Sequence, residues 1–117
     1  MKLAYQMDND SHQPLRSEIA EMEKKASDVA RLLSALGQSK RLMVLCLLAE
    51  KEMSVGALAE AVNLSQSALS QHLARMRDLG IVSTRREAQT IYYCLASAET
   101  RKLIEVLYET FCNTGKK

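Results

Sequence analysis

At Gly80 the hydrophobic period of this chain changes from 3.6 to 2, and few folds accommodate that change where it falls. Before it stand two short helical stretches, almost end to end. VGALAEAV follows Ser54, a natural N-cap, and runs to Asn63. The second opens at Ser65, again an N-cap, and Ala68, Leu69, Leu73, Met76 and Leu79 line one side of it. Leu64 and Leu69 occupy the positions of a hydrophobic staple. Two short helices joined by so few residues make a helix-turn-helix. After Gly80, IVSTRRE and QTIYYCL are β-type runs that flank a turn around Glu87 and Ala88, which reads as a hairpin.

The rest of the chain is helical by the same reasoning. From Ser17 to Leu36 the apolar positions Ile19, Met22, Ala26, Val29, Leu32, Leu33 and Leu36 recur in steps of three and four, and Gly37 ends the run. A second helix extends from a cap at Ser39 to about Glu50 and is apolar on nearly all sides, so it is expected to be buried. Ser97 to Cys112 returns to helix, with Leu103, Ile104, Leu107, Tyr108 and Phe111 on one side. The order is α-α-α-α-β-β-α. The expected fold is mainly α with a β-hairpin wing, a winged helix-turn-helix. Residues 1–17 are expected to form a flexible polar arm, 18–113 the winged-helix domain and 114–117 a short tail.

A chain of 117 residues suits one domain with one core. The longest apolar run, LMVLCLLA, is far too short to span a bilayer, and the N-terminus has no apolar signal core. A cytoplasmic protein is therefore expected, with its three cysteines reduced by default. The net charge of +2 is unevenly placed: residues 1–30 carry four basic and six acidic groups, whereas 65–90 carry Arg75, Arg77, Arg85 and Arg86 against Asp78 and Glu87. The basic excess sits beside the second helix of the pair and just after it, which suits a phosphate partner.

That helix begins QSALSQHL, and its outer face offers only short hydroxyls and amides. A helix fits the DNA major groove, and its first turns reach base edges. Gln66 and Gln71 are candidates to read bases, and Ser67 and Ser70 to bond bases or phosphates. Ser54 and Arg75 are further DNA-binding candidates, and the hairpin arginines Arg85 and Arg86 are candidates to reach an adjacent phosphate or the minor groove; backbone phosphates supply most of the affinity. His72 suits either the DNA backbone or a structural hydrogen bond within the fold.

From about Ala30 to Phe111 the chain resembles the ArsR/SmtB family of bacterial winged-helix repressors, on the segments ALGQSKRLMVLCLL, MSVGALAEAVNLSQSALSQHLARMRDLGIV and TRREAQTIYYCL. The resemblance implies a homodimer built from the first and last helices, which places recognition helices in successive major grooves of a palindromic operator, about one helical turn apart. Metal sensors in that family carry ligands at the start of the third helix or on the last helix. Here the third helix begins MSVGALA and the last has no His, so no metal and no cofactor is expected. No catalytic residue is expected either: there is no Cys-x-x-Cys and no cofactor motif.

Cys46 in the second helix and Cys112 at the end of the last resemble the dithiols of the thiol sensors within the family, of the SqrR, BigR and HlyU type. That resemblance implies repression that is lifted when reactive sulfur species bridge the two thiols. HlyU-like members instead promote transcription by displacing a silencing protein, and a general redox response is the other alternative. Two sulfurs inserted between the thiols lengthen their reach by roughly 2–3 Å, so thiols held slightly too far apart for a disulfide would still accept a tetrasulfide. Cys94, on the hairpin, is expected to be incidental.

Overall fold

The computed structural model describes residues 12–112. In chain order the elements are α1 (His12–Leu36), α2 (Ser39–Glu50), β1 (Met53–Ser54), α3 (Val55–Val62), α4 (Gln66–Asp78), β2 (Val82–Glu87), β3 (Thr90–Leu95) and α5 (Ala98–Phe111). The chain divides into two compact units, Met1–Arg31 and Leu32–Lys117. Most of the anticipated arm, residues 1–11, and the tail 114–117 lie outside the described residues.

Within the first unit, α1 starts at His12, five residues before the position its apolar spacing indicates. Pro14 does not prevent this, because it falls in the first turn, where backbone N–H groups have no helical partner to lose. Asp28 and Arg31 pair at 2.7 Å one turn apart on the surface. Ile19 and Met22, members of the expected apolar stripe, are 40% and 52% exposed.

The second unit holds the core. Val44, Leu45 and Leu48 of α2, Leu58, Ala59 and Val62 of α3, and Leu69, Leu73 and Met76 of α4 are buried together. Ala35, Leu36, Ile81, Val82 and Ile104 complete the cluster. The second helix is less enclosed than its composition implies: Met43 is half exposed. Its cap also differs. The side chain of Gln38, not Ser39, accepts the Arg41 N–H, at 2.9 Å. Ser39 is already the first helical residue, so its hydroxyl has passed the capping position.

The turns follow from residue type. Asn63 adopts a left-handed conformation (φ 61°) after α3, and Leu64 N–H reaches back to Ala59 C=O. Gly80 does the same after α4 (φ 76°), with Ile81 N–H on Met76 C=O. Both closures satisfy carbonyls that the helix end would leave open. In the hairpin, Glu87 pairs with Thr90, so Ala88 and Gln89 form a two-residue turn, and Ala88 carries φ 56° without being glycine.

The hairpin is joined by a third strand that the periodicity did not reveal. Met53 pairs with Tyr93 and Ser54 with Tyr92, antiparallel, giving the order β1-β3-β2. No single helix among the described residues is long and apolar enough to cross a membrane.

Candidate DNA-binding surface and dithiol site

Ser65 is the N-cap of α4, and its Oγ accepts the Ala68 N–H at 3.1 Å. Helix α4 therefore begins at Gln66, and its first turn is the part expected to meet bases. Burial divides α4 cleanly: Leu69, Leu73 and Met76 face the core, while Gln66, Ser67, Ser70, Gln71 and Arg75 are exposed. Four of these polar side chains thus share one solvent face at the N-terminal end of a helix held rigidly from behind. Gly56 is part of this arrangement and carried no signal in the sequence beyond being a glycine inside a short helix. The Gln66 amide nitrogen lies 3.5 Å from where a Cβ on Gly56 would stand, so the amide rests on α3.

Ser54 has a structural task. It caps α3, with its Oγ accepting the Ala57 N–H at 3.2 Å. The hydroxyl keeps its own proton to donate to an approaching phosphate. His72 is half-buried on the flank of α4, with Nδ1 3.4 Å from Nη1 of Arg41. As acceptor there, the ring is neutral, with its proton on Nε2. Desolvation, then the Arg41 charge, lowers its pKa below the ordinary value. Arg41 is fixed in turn by the Ala35 and Ser34 carbonyls at the end of α1, at 3.0 and 3.3 Å. Lys40 donates to the Val62 carbonyl at the end of α3. The structural alternative for His72 thus has a defined partner.

The two hairpin arginines differ. Arg85 makes a two-pronged ion pair with Glu52, at 2.7 and 3.1 Å, and a third contact with Glu87 at 2.9 Å. Its guanidinium stacks over Tyr92, 4.9 Å from the ring centroid. The hydrogen bonds Arg85 donates to Glu52 and then to Glu87 raise its pKa, and the bond from Arg85 lowers that of Glu52. Arg85 is therefore ion-paired on the surface and links the wing to the loop before β1, with its side chain still 46% exposed. Neighbouring residues of a strand face opposite sides, so Arg86 lies on the other face of the wing, exposed and opposite Ile91. Nothing in the sequence marked Glu52, which lies far from Arg85 along the chain.

Of the cysteines, Cys94 is half-buried in β3, with its sulfur 3.2 Å from the Ser83 hydroxyl across the hairpin. Cys46 is half-buried in α2, and Cys112 is exposed as the C-cap of α5. Burial, then the charge on Cys112, raises the pKa of Cys46. The two thiols are thus close enough for one to feel the other's ionisation. Beside Cys46, between α2 and α5, is a pocket of about 220 Å³ lined by Cys46, Ala49, Glu50, Ile104, Glu105, Tyr108 and Glu109. Ile104 and Tyr108 stand four residues apart, and Cys112 four further on, so one stripe of α5 carries both pocket lining and thiol. Among the described residues, no three His, Cys, Asp or Glu side chains are grouped to hold a metal ion.

Comparison with known proteins agrees with this geometry. The model of the bacterial regulatory protein arsR family matches residues 38–84, from the start of α2 into β2. The chain is 46% identical to the transcriptional activator HlyU of Vibrio cholerae over 98 residues, which covers 84% of this chain and 91% of that protein. It is 50% identical to a biofilm growth-associated repressor of Agrobacterium fabrum over 91 residues, 78% of each chain. A solved structure of reduced HlyU from Vibrio cholerae matches with a TM-score of 0.75 and 49% identity, covering 79% of this chain and 97% of that one. The polar face of α4, the wing and these similarities identify the chain as a member of the ArsR family of bacterial winged-helix transcriptional regulators.

Proposed function

We propose that the protein is a dithiol-responsive transcriptional repressor of the cytoplasm, which binds a palindromic operator as a homodimer. Reactive sulfur species that bridge Cys46 and Cys112 release it from DNA. The observation that supports the sensing half is that Cys46 of α2 lines the pocket between α2 and α5, while Cys112 stands four residues beyond Tyr108 of the same lining and its charge raises the Cys46 pKa. Cys112, the exposed thiol, attacks first, and Cys46 closes the bridge.

DNA contact is assigned to Gln66, Ser67, Ser70 and Gln71 for bases, and to Ser54, Arg75 and Arg86 for phosphates. Val106, Tyr108 and Phe111 on α5 are 56%, 48% and 75% exposed, which supports dimerisation through the last helix together with the first. A bridge between α2 and α5 then strains the element that sets the spacing of the two α4 helices. A coupling of about 1–3 kcal/mol weakens binding roughly 5- to 150-fold.

The test combines mass spectrometry with fluorescence anisotropy on promoter DNA, after treatment of the reduced protein with an organic tetrasulfide, a disulfide or peroxide. Sulfur added between Cys46 and Cys112, with loss of DNA binding, supports the reading. Unchanged binding by fully bridged protein refutes it. The Vibrio cholerae relative is named an activator, which favours a second reading in which the bound protein displaces a silencer. A promoter reporter in cells with and without the gene separates the two.

A further inference from the structure

The pocket beside Cys46 has a charge that the dithiol reading does not require. Glu50 ends α2, and Glu105 and Glu109 stand one turn apart on α5, so three carboxylates line it and no cationic side chain does. Arg101 and Lys102, the nearest basic residues of α5, line neighbouring hollows, one of which Lys102 shares with Glu105 and Glu109. Arg101 donates to the carbonyl of Ala49, a lining residue, at 2.8 Å, so one guanidinium stands at the pocket's edge against three carboxylates. The remaining lining, Ala49, Ile104 and Tyr108, is largely apolar. At about 220 Å³ the pocket lies below the usual range for drug-sized ligands, so it suits a short molecule.

We propose that this pocket receives small cationic disulfides and polysulfides, amine-bearing on a short apolar chain, and that Glu50, Glu105 and Glu109 admit them in preference to anionic ones. The proposal rests on the dithiol reading and names the oxidant class for that site. A seated R–S–S–R meets the Cys112 thiolate. The Cys112–S bond forms as the S–S bond breaks, and R–S⁻ leaves and takes a proton from solvent. Cys46, having given its proton to solvent, attacks the Cys112 sulfur and displaces the second R–S⁻. The protein dithiol is oxidised by two electrons, and the reagent is reduced to two thiols. Carboxylates around the entry raise the local concentration of a cation and lower that of an anion.

The test uses the full reduced chain and three short disulfides: cystamine (cationic), bis(2-hydroxyethyl) disulfide (neutral) and 3,3′-dithiodipropionate (anionic). Mass spectrometry follows modification at Cys46, Cys94 and Cys112 separately. Each rate is divided by that of a small free thiol with the same reagent, which cancels the acidity of the leaving thiol. The expected order at Cys112 and Cys46 is cationic, neutral, anionic, spanning about 10- to 100-fold at low salt. The span contracts at high salt, and it contracts in Glu105→Gln/Glu109→Gln. That variant changes only exposed residues, and circular dichroism checks its fold. Equal normalised rates for the three reagents overturn the proposal, as does a preference that survives intact in the double variant. Charge preference with no effect of the oxidised pair on DNA binding refutes instead the dithiol reading and leaves the pocket's selectivity standing.

Discussion

Replacing Ser65 by alanine tests how the fold delivers the reading face. Ser65 Oγ accepts the Ala68 N–H at 3.1 Å, and Gln66 and Ser67 are the first two residues of the helix it caps. Loss of an N-cap hydroxyl costs about 1 kcal/mol; Ser65 is exposed, so water partly satisfies the freed N–H and keeps the cost from the upper end of the range. The cost falls on the turn that carries Gln66 and Ser67, two of the residues proposed to read bases. If DNA must re-form that turn, 1 kcal/mol weakens binding about fivefold per helix, and about 30-fold for a dimer using two. Urea unfolding and operator anisotropy on the same samples give both numbers. Ser65→Gly separates this from a direct contact, because glycine at an N-cap costs only a few tenths of a kcal/mol. The glycine variant is expected to keep most of its affinity. Equal loss in Ala and Gly variants would show that the hydroxyl touches DNA. A destabilised alanine variant with full affinity would sink the idea that cap and reading face are coupled.

Thr100 is fully buried, and its Oγ1 has no hydrogen-bond partner among the described residues, so Thr100→Val is expected to stabilise the protein by about 1 kcal/mol, measured by urea midpoint. His72 binds its proton less readily in the folded state than in the unfolded chain. Its contribution to stability is therefore present above its ordinary pKa of 6.5 and is lost as pH falls from there towards the lowered folded value. His72→Gln should remove that slope from melting temperatures recorded between pH 7 and 5. Arg86→Ala is expected to reduce the slope of log K against log salt by about 2 in a dimer, at about 0.9 per lost phosphate contact, and Arg85→Ala by less, because Glu52 and Glu87 already hold Arg85; equal slopes in the two variants would contradict that hold.

Features written locally were legible in the sequence. Ser54 and Ser65 each cap the helix that follows, and each accepts the N–H three residues on. The hairpin follows from a period of two, and its turn, expected around Glu87 and Ala88, falls one residue later at Ala88 and Gln89. The exposed face of α4 follows from its apolar complement. What escaped depends on chain segments that meet only after folding. A strand of two residues has no period to detect, and β1 exists because Tyr92 and Tyr93 offer it an edge. Gln38 displaced Ser39 as a cap because its longer side chain reaches Arg41 N–H from one position earlier. The Arg85–Glu52 pair escaped because Glu52 sits in another loop. At the pocket between α2 and α5, Cys46 was visible in the sequence, but the three glutamates beside it were not, since α2 and α5 contribute them separately.

The two-residue strand sets a limit on modular exchange. Ser54 ends β1 by pairing with Tyr92 and, at the same residue, caps α3 through its hydroxyl. The wing is therefore stitched to the start of the helix pair by backbone and side chain together. A chimera that imports residues 82–95 from a relative inherits a β3 edge that only a compatible 53–54 segment can cover. Grafting a new wing to alter operator choice must carry Met53 and Ser54 with it, or the transplant arrives with an open seam.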